Sequence, residues 1–252
     1  MSNRAQADRL NNLSDSVLDF MRERFKGAPE VIYTASKTDE QSLEIAEQFL
    51  QRTGRAILSR VSSSLQARLD EQYGDSELEW YPASRIAVLR RGPQPERKGG
   101  RVGVLTAGTS DRPAAEEAAV VCQEMGCTVH AQYDVGVAGL HRLFDPLKRL
   151  LNEYDVDVLI VAAGMDGALP SVVSGLVDIP VIGLPTAVGY GMGGQGHGAL
   201  VAMLQTCAPG LAVVNIDNGV GAGVTAALIA NRAESQRTGR LERVQHTAET
   251  AE

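Results

Sequence analysis

Cysteine is scarce in this chain: Cys122, Cys127 and Cys207 are the whole set, and no two stand at a spacing that pairs metal ligands. A disulfide framework is thereby excluded, and a reducing compartment is expected. Long apolar runs are missing too. The longest extend about eight residues before a Gly or Pro, too short to span a bilayer. The opening stretch "MSNRAQADRLNNLSDSV" holds no apolar segment of the signal-peptide kind, so the expected location is cytoplasmic, with no membrane partner. Basic charge is also lacking. A formal net charge of -7 argues against nucleic acid as the main partner, since phosphate backbones need a basic face. A small anionic ligand stays compatible, because a few Arg or Lys and some backbone amides can hold it.

What the chain does have is aliphatic residues and glycine. Hydrophobic residues make up 44% with aromatics at only 4%, ample for a packed core in 252 residues, which suffice for one large domain or two modest ones. The 26 glycines cluster in the C-terminal half, which points to tight turns and close backbone approach.

Residues 1–91 read as a small α/β unit. Ser14 is a candidate N-cap for a helix carrying Val17, Leu18 and Met21, stopped by Gly27. "PEVIYTA", "RAILSRV" and "RIAVLRR" read as strands, and "SSSLQARLDEQYG" as a short helix. Another helix begins at Thr38, with Gln41 in the capping-box position. "GPQPERKGG", residues 92–100, is the linker candidate. From 101 to 232 five apolar strands alternate with helices, beginning at "RVGVLTAG", "CTVHAQYDV", "DVLIVAAG", "IPVIGLP" and "LAVVNIDNG". Strands apolar throughout predict a parallel sheet covered by helices on both faces. Residues 233–252 are polar and read as a tail.

In such a sheet, ligands sit outside the carboxyl ends of the strands. The segments expected there are "TAGTSD", "YDVGVAGLHR", "AGMDG", "PTAVGYGMGGQGHG" and "NIDNGVGAG", all rich in Gly, Ser, Thr, Asp or Asn. Gly108, Thr109, Ser110 and Asp111 open a helix and present amides and a hydroxyl to a phosphate, although Asp111 reads equally well as a cap. Asp166 sits between Gly164-Met165 and Gly167, either as a cap or as a carboxylate over a ligand. The glycine-dense run that holds His197 suggests a lid or backbone pressed against a ligand. Cys122 and Cys127 read as core; for Cys207, near the end of "GALVAMLQTC", core and functional readings balance.

From about residue 100 to 230 the chain resembles the phosphoribosylaminoimidazole carboxylase family, on "GTSD", "AGMDGALPSVVSGL" with "IPVIGLP", and "VNIDNGVGAGVTAALIA". "PEVIYTASKT", "YDVGVAGLHRL", "AGMDGALPSVVSGLVDIPVIGLPTAVGYG" and "LQTCAPGLAVVNIDNGVGAG" are closer to one branch, the LarB proteins of nickel-pincer nucleotide cofactor biosynthesis. That resemblance implies carboxylation of the pyridinium ring of nicotinate adenine dinucleotide by carbon dioxide or bicarbonate, with hydrolysis of the phosphoanhydride. It makes Cys207 the nucleophile and Asp166 the base or the group that places carbon dioxide, with Asp134 and His141 as second choices for proton handling. Gly164, Met165 and Gly167, with Asp111, Asn215, Asp217 and Asn218, would contact the ligand, and Lys37 or Arg24 would neutralise phosphate. No tightly bound cofactor is expected, magnesium is a candidate aid to anhydride hydrolysis, and a homo-oligomer, an octamer by analogy, is implied. The competing readings are an imidazole-ribonucleotide carboxylase and a non-catalytic nucleotide-binding regulator.

Overall fold

The structure, a computed structural model, describes residues 18–239. The candidate cap Ser14 and its neighbour Val17 therefore lie outside the described residues. The helix they would open is seen as α1 (Arg22–Lys26), closed by Gly27 in the left-handed conformation.

The first unit is a four-stranded sheet in the order β1-β2-β4-β3. Its strands are β1 (Val31–Tyr33), β2 (Arg55–Ser59), β3 (Leu78–Tyr81) and β4 (Ile86–Arg90). β1 and β2 run parallel, while β4 is antiparallel to both β2 and β3. One face carries α2 (Asp39–Thr53) and α3 (Ser63–Gln72), whose Leu43, Phe49, Leu50, Leu65 and Leu69 fill the core between. The capping box at α2 forms as expected: the Gln41 amide donates to the Thr38 hydroxyl, and the Thr38 amide to the Gln41 side chain. Strand β3 is an addition to the sequence reading. It is a short edge strand whose Glu79 faces solvent, so it lacks a continuous apolar run.

The second unit is a five-stranded, all-parallel sheet in the order β6-β5-β7-β8-β9. It comprises β5 (Arg101–Thr106), β6 (Thr128–Gln132), β7 (Val158–Ala163), β8 (Val181–Pro185) and β9 (Leu211–Val213). The apolar strands and the helices between them dictate this doubly covered arrangement. One face packs on α4 (Arg112–Glu124) and α8 (Gly219–Arg237), and the other on α5 (His141–Asn152), α6 (Ala168–Ser174) and α7 (His197–Leu204). α8 runs further than expected, to Arg237, and residues from 240 onward lie outside the described ones. α4 and α8 approach until a Cβ on Gly223 would stand 2.6 Å from the Ala118 carbonyl oxygen, so only glycine fits there.

α4 packs against both units, leaving Arg112, Pro113 and Gln123 exposed. Ala115, Ala118, Val121 and Cys122 pack towards the large sheet, while Val120 packs with Ile57, Ile86 and Val88 of the small one. Two glutamates one heptad apart on α4, Glu117 and Glu124, are buried against the first unit. Glu124 receives Arg90 at 2.6 Å and Arg55 at 3.1 Å; Glu117 accepts from the Ser59 hydroxyl and lies 3.5 Å from Arg60. The helix joining strands of one sheet is thus ionically bolted to the other. Truncating one member of such a buried set leaves the partners' charge uncompensated. Glu124→Leu should therefore lower unfolding stability by about 3–5 kcal/mol in urea titration. A loss below ~1 kcal/mol, the size of an exposed pair, would mean the contact does not bind the two units.

Candidate active site

All five polar strand-end segments follow β5 to β9 in a parallel sheet, so they meet on one edge. The strand order itself reverses between β5 and β7, where a crevice opens between loops that diverge to opposite faces. The loop after β5 supplies "GTSD" and the loop after β7 supplies "GMDG".

These loops are welded together. The buried Asp111 carboxylate accepts from the Gly108 amide at 2.8 Å and from the Thr186 hydroxyl at 2.6 Å, tying the loop after β5 to the one after β8. The Met165 amide donates to the Val188 carbonyl at 2.8 Å, joining the loops after β7 and β8. Asp217 accepts from the Ala187 amide at 3.0 Å, bringing in the loop after β9. Gly164 is required where these loops cross, because a Cβ there would stand 2.2 Å from the Val188 carbonyl oxygen.

Strain gathers at the same edge. Among the described residues, seven other than glycine have positive φ, and four of them, Asp134, Met165, Gln195 and Asp217, follow strands β6 to β9. Arg60 and Arg85 lie in the first unit, against this edge. Only Asp155 is elsewhere, before β7. Left-handed backbone at such residues persists where surroundings over-determine it, a pattern typical of ligand sites.

The expected site residues divide into groups. Asp166 and Met165 are exposed at the mouth, and one Asp166 oxygen accepts from the Ala168 amide at 3.3 Å, a weak cap that leaves the other oxygen unengaged by protein among the described residues. Thr109 and Ser110 are exposed in the loop after the neighbouring strand β5, whereas Asp111 is consumed in holding loops. Asn218 caps α8 by accepting from the Gly221 amide, and Asn215 is exposed with its side-chain oxygen turned to the Ile216 amide. Asp134 is paired with Arg142 at 2.8 Å, so this helix-entry turn is bonded to itself, with His141 exposed alongside. Lys37 donates to the Tyr33 carbonyl in the turn after β1. Arg24, on α1 beside Glu23 and the Arg55 end of β2, is not brought to the crevice. The glycine run around His197 forms irregular 3-10 turns, and Gly193, Gly196 and Gly198 abut the chain's own backbone. His197 is exposed, and protein rather than ligand accounts for those glycines.

Cys207 stands apart. α7 ends at Leu204, and Cys207 lies in the following turn, ahead of β9, which begins level with the first residue of β8. The Ser174 hydroxyl at the end of α6 donates to the Pro209 carbonyl in that turn at 2.8 Å. Cys207 is therefore on the opposite edge of the sheet from Asp166. Six residues of β7 separate the edges, about 17 Å at the usual strand rise. One chain does not bring these two residues together.

Sequence reading missed Arg60, Arg85 and Arg142. Arg142 adjoins His141 in "GLHRL" and carries a local signal, whereas Arg60 and Arg85 reach this edge only through packing of the first unit. Among the described residues no group of three or more His, Cys, Asp or Glu is arranged to hold a metal ion, and no helix is long and apolar enough to cross a membrane.

A doubly covered parallel sheet with a polar, strained carboxyl edge defines an α/β protein of the ligand-binding kind. The AIR carboxylase family model matches residues 101–251, and a LarB/PurE-like N-terminal domain model matches residues 10–91. The chain belongs to the AIR carboxylase family. It is 42% identical over 218 residues to an uncharacterized protein of Methanocaldococcus jannaschii, covering 84% of this chain and 83% of that one. It is 30% identical over 135 residues to the N5-carboxyaminoimidazole ribonucleotide mutase of Thermotoga maritima, covering 51% of this chain and 74% of that one. A crystal structure of a Treponema denticola PurE2 variant superposes with a TM-score of 0.40 at 18% identity, over 57% of this chain and 99% of that chain.

The three thiols differ in reach. Cys122 and Cys127 are buried, and burial pushes the Cys127 thiol up to about 12 and that of Cys122 well above its ordinary value. Cys207 is exposed. Alkylation of the native protein at neutral pH should modify Cys207 and spare the other two, with all three reacting after unfolding. Modification of Cys122 or Cys127 in the native state, read by peptide mass, would contradict this burial.

Proposed function

We propose that this enzyme carboxylates the pyridinium ring of nicotinate adenine dinucleotide and hydrolyses its phosphoanhydride. The products are pyridinium-3,5-biscarboxylic acid mononucleotide and AMP, and the first serves nickel-pincer nucleotide cofactor synthesis. The observation that carries this reading is the exposed Cys207 in a chain whose other thiols are buried. A pyridinium ring is electron-poor and cannot attack carbon dioxide. Addition of the Cys207 thiolate to a ring carbon gives a dihydropyridine with a nucleophilic enamine carbon. That carbon attacks carbon dioxide and forms the new carbon–carbon bond. A carboxylate, for which Asp166 is the candidate, takes the ring proton from the same carbon. Breaking the carbon–sulfur bond returns the electron pair to sulfur and restores aromaticity. Water then cleaves the anhydride, and magnesium is a candidate for neutralising its charge.

The sheet height between Asp166 and Cys207 adds a requirement. The two act on one ring only if the thiol of one copy reaches the carboxyl edge of another, so the active form is a homo-oligomer with shared sites. An aminoimidazole is already electron-rich and needs no such thiol. The likeness to named N5-carboxyaminoimidazole ribonucleotide mutases favours that substrate as the second reading, but it covers about half of this chain.

Cys207→Ser should abolish product formation, and Asp166→Asn should reduce it roughly a hundredfold or more, both with folding retained. Co-expressing the two variants as mixed oligomers should restore activity, because some sites then pair an intact thiol with an intact carboxylate. Two inactive variants that stay inactive in verified mixed oligomers would overturn the shared site. A folded Cys207→Ser protein that makes product would end the covalent route.

A further inference from the structure

Between the two units lies a cleft of about 330 Å³, within the range of small-ligand sites. Arg60 and Arg85 line it from the first unit, while Ser110, Ala187 and Val188 line it from the loops of the large sheet's carboxyl edge. Both arginines occupy left-handed backbone, with φ of 63° and 54°, and their turns are locked together by the Val61 amide donating to the Arg85 carbonyl at 3.0 Å. Neither position belongs to the strand-end motifs of the large sheet.

The cleft's charges are unequally engaged. One Glu117 oxygen accepts from the Ser59 hydroxyl and faces Arg60, and one Asp217 oxygen accepts from the Ala187 amide; the second oxygen of each carboxylate has no hydrogen bond or ion pair among the described residues. Arg60 is held in place by these contacts, donating through Nη2 to the Asp217 carbonyl. The Arg85 side chain is exposed and makes no ion pair or hydrogen bond among the described residues. An unpaired guanidinium on a fixed turn lining a cleft with alanine and valine walls, near a second one already oriented, suits a planar apolar group that carries an anionic oxygen cluster.

We infer that Arg60 and Arg85 form a phosphate subsite for the adenylate half of a nucleotide ligand, with the first unit supplying the cations and the large sheet's edge the wall. The choice of adenylate rests on the dinucleotide reading above; the anion subsite does not. Isothermal titration of the full-length protein with AMP, adenosine and inorganic phosphate tests it. AMP should bind, and Arg85→Gln should weaken it about tenfold or more, the effect of losing one charge-assisted contact. Adenosine binding should be indifferent to that change, and Arg68→Gln, on the outer face of α3, should leave AMP binding unaltered. Arg60→Gln should act in the same direction as Arg85→Gln.

AMP affinity unchanged in Arg85→Gln, or absent from the wild type, would overturn the subsite. Inorganic phosphate binding as tightly as AMP would overturn the adenylate assignment, since the wall would then contribute nothing. If the biscarboxylated mononucleotide is still made while AMP binding ignores Arg85, the subsite fails and the proposed function stands. Arg85-dependent AMP binding without any carboxylation gives the reverse.

Discussion

The arrangement rests on two carboxylates buried in α4. Glu117 and Glu124 cost desolvation energy, and such buried charge adds little net stability compared with apolar packing. What they add is placement. Arg55, Arg90, Ser59 and Arg60 converge on them from β2, the turn after it, and β4, so the small sheet docks on α4 in one orientation. The apolar contact around Val120 is small and tolerant of sliding; the ion pairs are not. The cleft exists because this docking sets the Arg60 and Arg85 turns against the carboxyl edge of the large sheet.

The loops of that edge are cross-tied, where the sequence left a lid and backbone pressed against a ligand both open. Asp111, Thr186, Asp217 and the Met165–Val188 contact tie four loops into one surface, and the energy of those ties supports the left-handed backbone at Met165 and Asp217. Asp166 and Ser110 then project from a fixed frame, as a positioned base or ligand contact needs. Cys207 belongs to the other edge and gains a role in this chemistry only across copies of the chain.

Much of the fold was legible because its signals are local. The capping box at Thr38, the glycine stop at Gly27, and the apolar runs of β5, β7 and β8 each dictate their own element. β3 was not, since a four-residue edge strand with an exposed glutamate resembles a loop. The cross-loop partners of Asp111 and of the glycines near His197 were not legible for a common reason: they lie in other loops, and pairing between distant segments leaves no periodic trace. Arg60 follows a strand like any surface arginine, and only docking of the first unit gives it a site. The place of Cys207 was derivable and was missed. A helix between parallel strands must return the chain to the amino edge, so a residue just before β9 cannot share an edge with one just after β7.

The proposed reaction adds one carboxylate to a pyridinium ring. Incubating the full-length protein with nicotinate adenine dinucleotide and ¹³C-bicarbonate, then measuring product masses, addresses it directly. AMP is expected together with a pyridinium mononucleotide heavier by one labelled carboxylate. Unlabelled nicotinate mononucleotide with AMP, or unchanged dinucleotide from folded oligomeric protein, would contradict it.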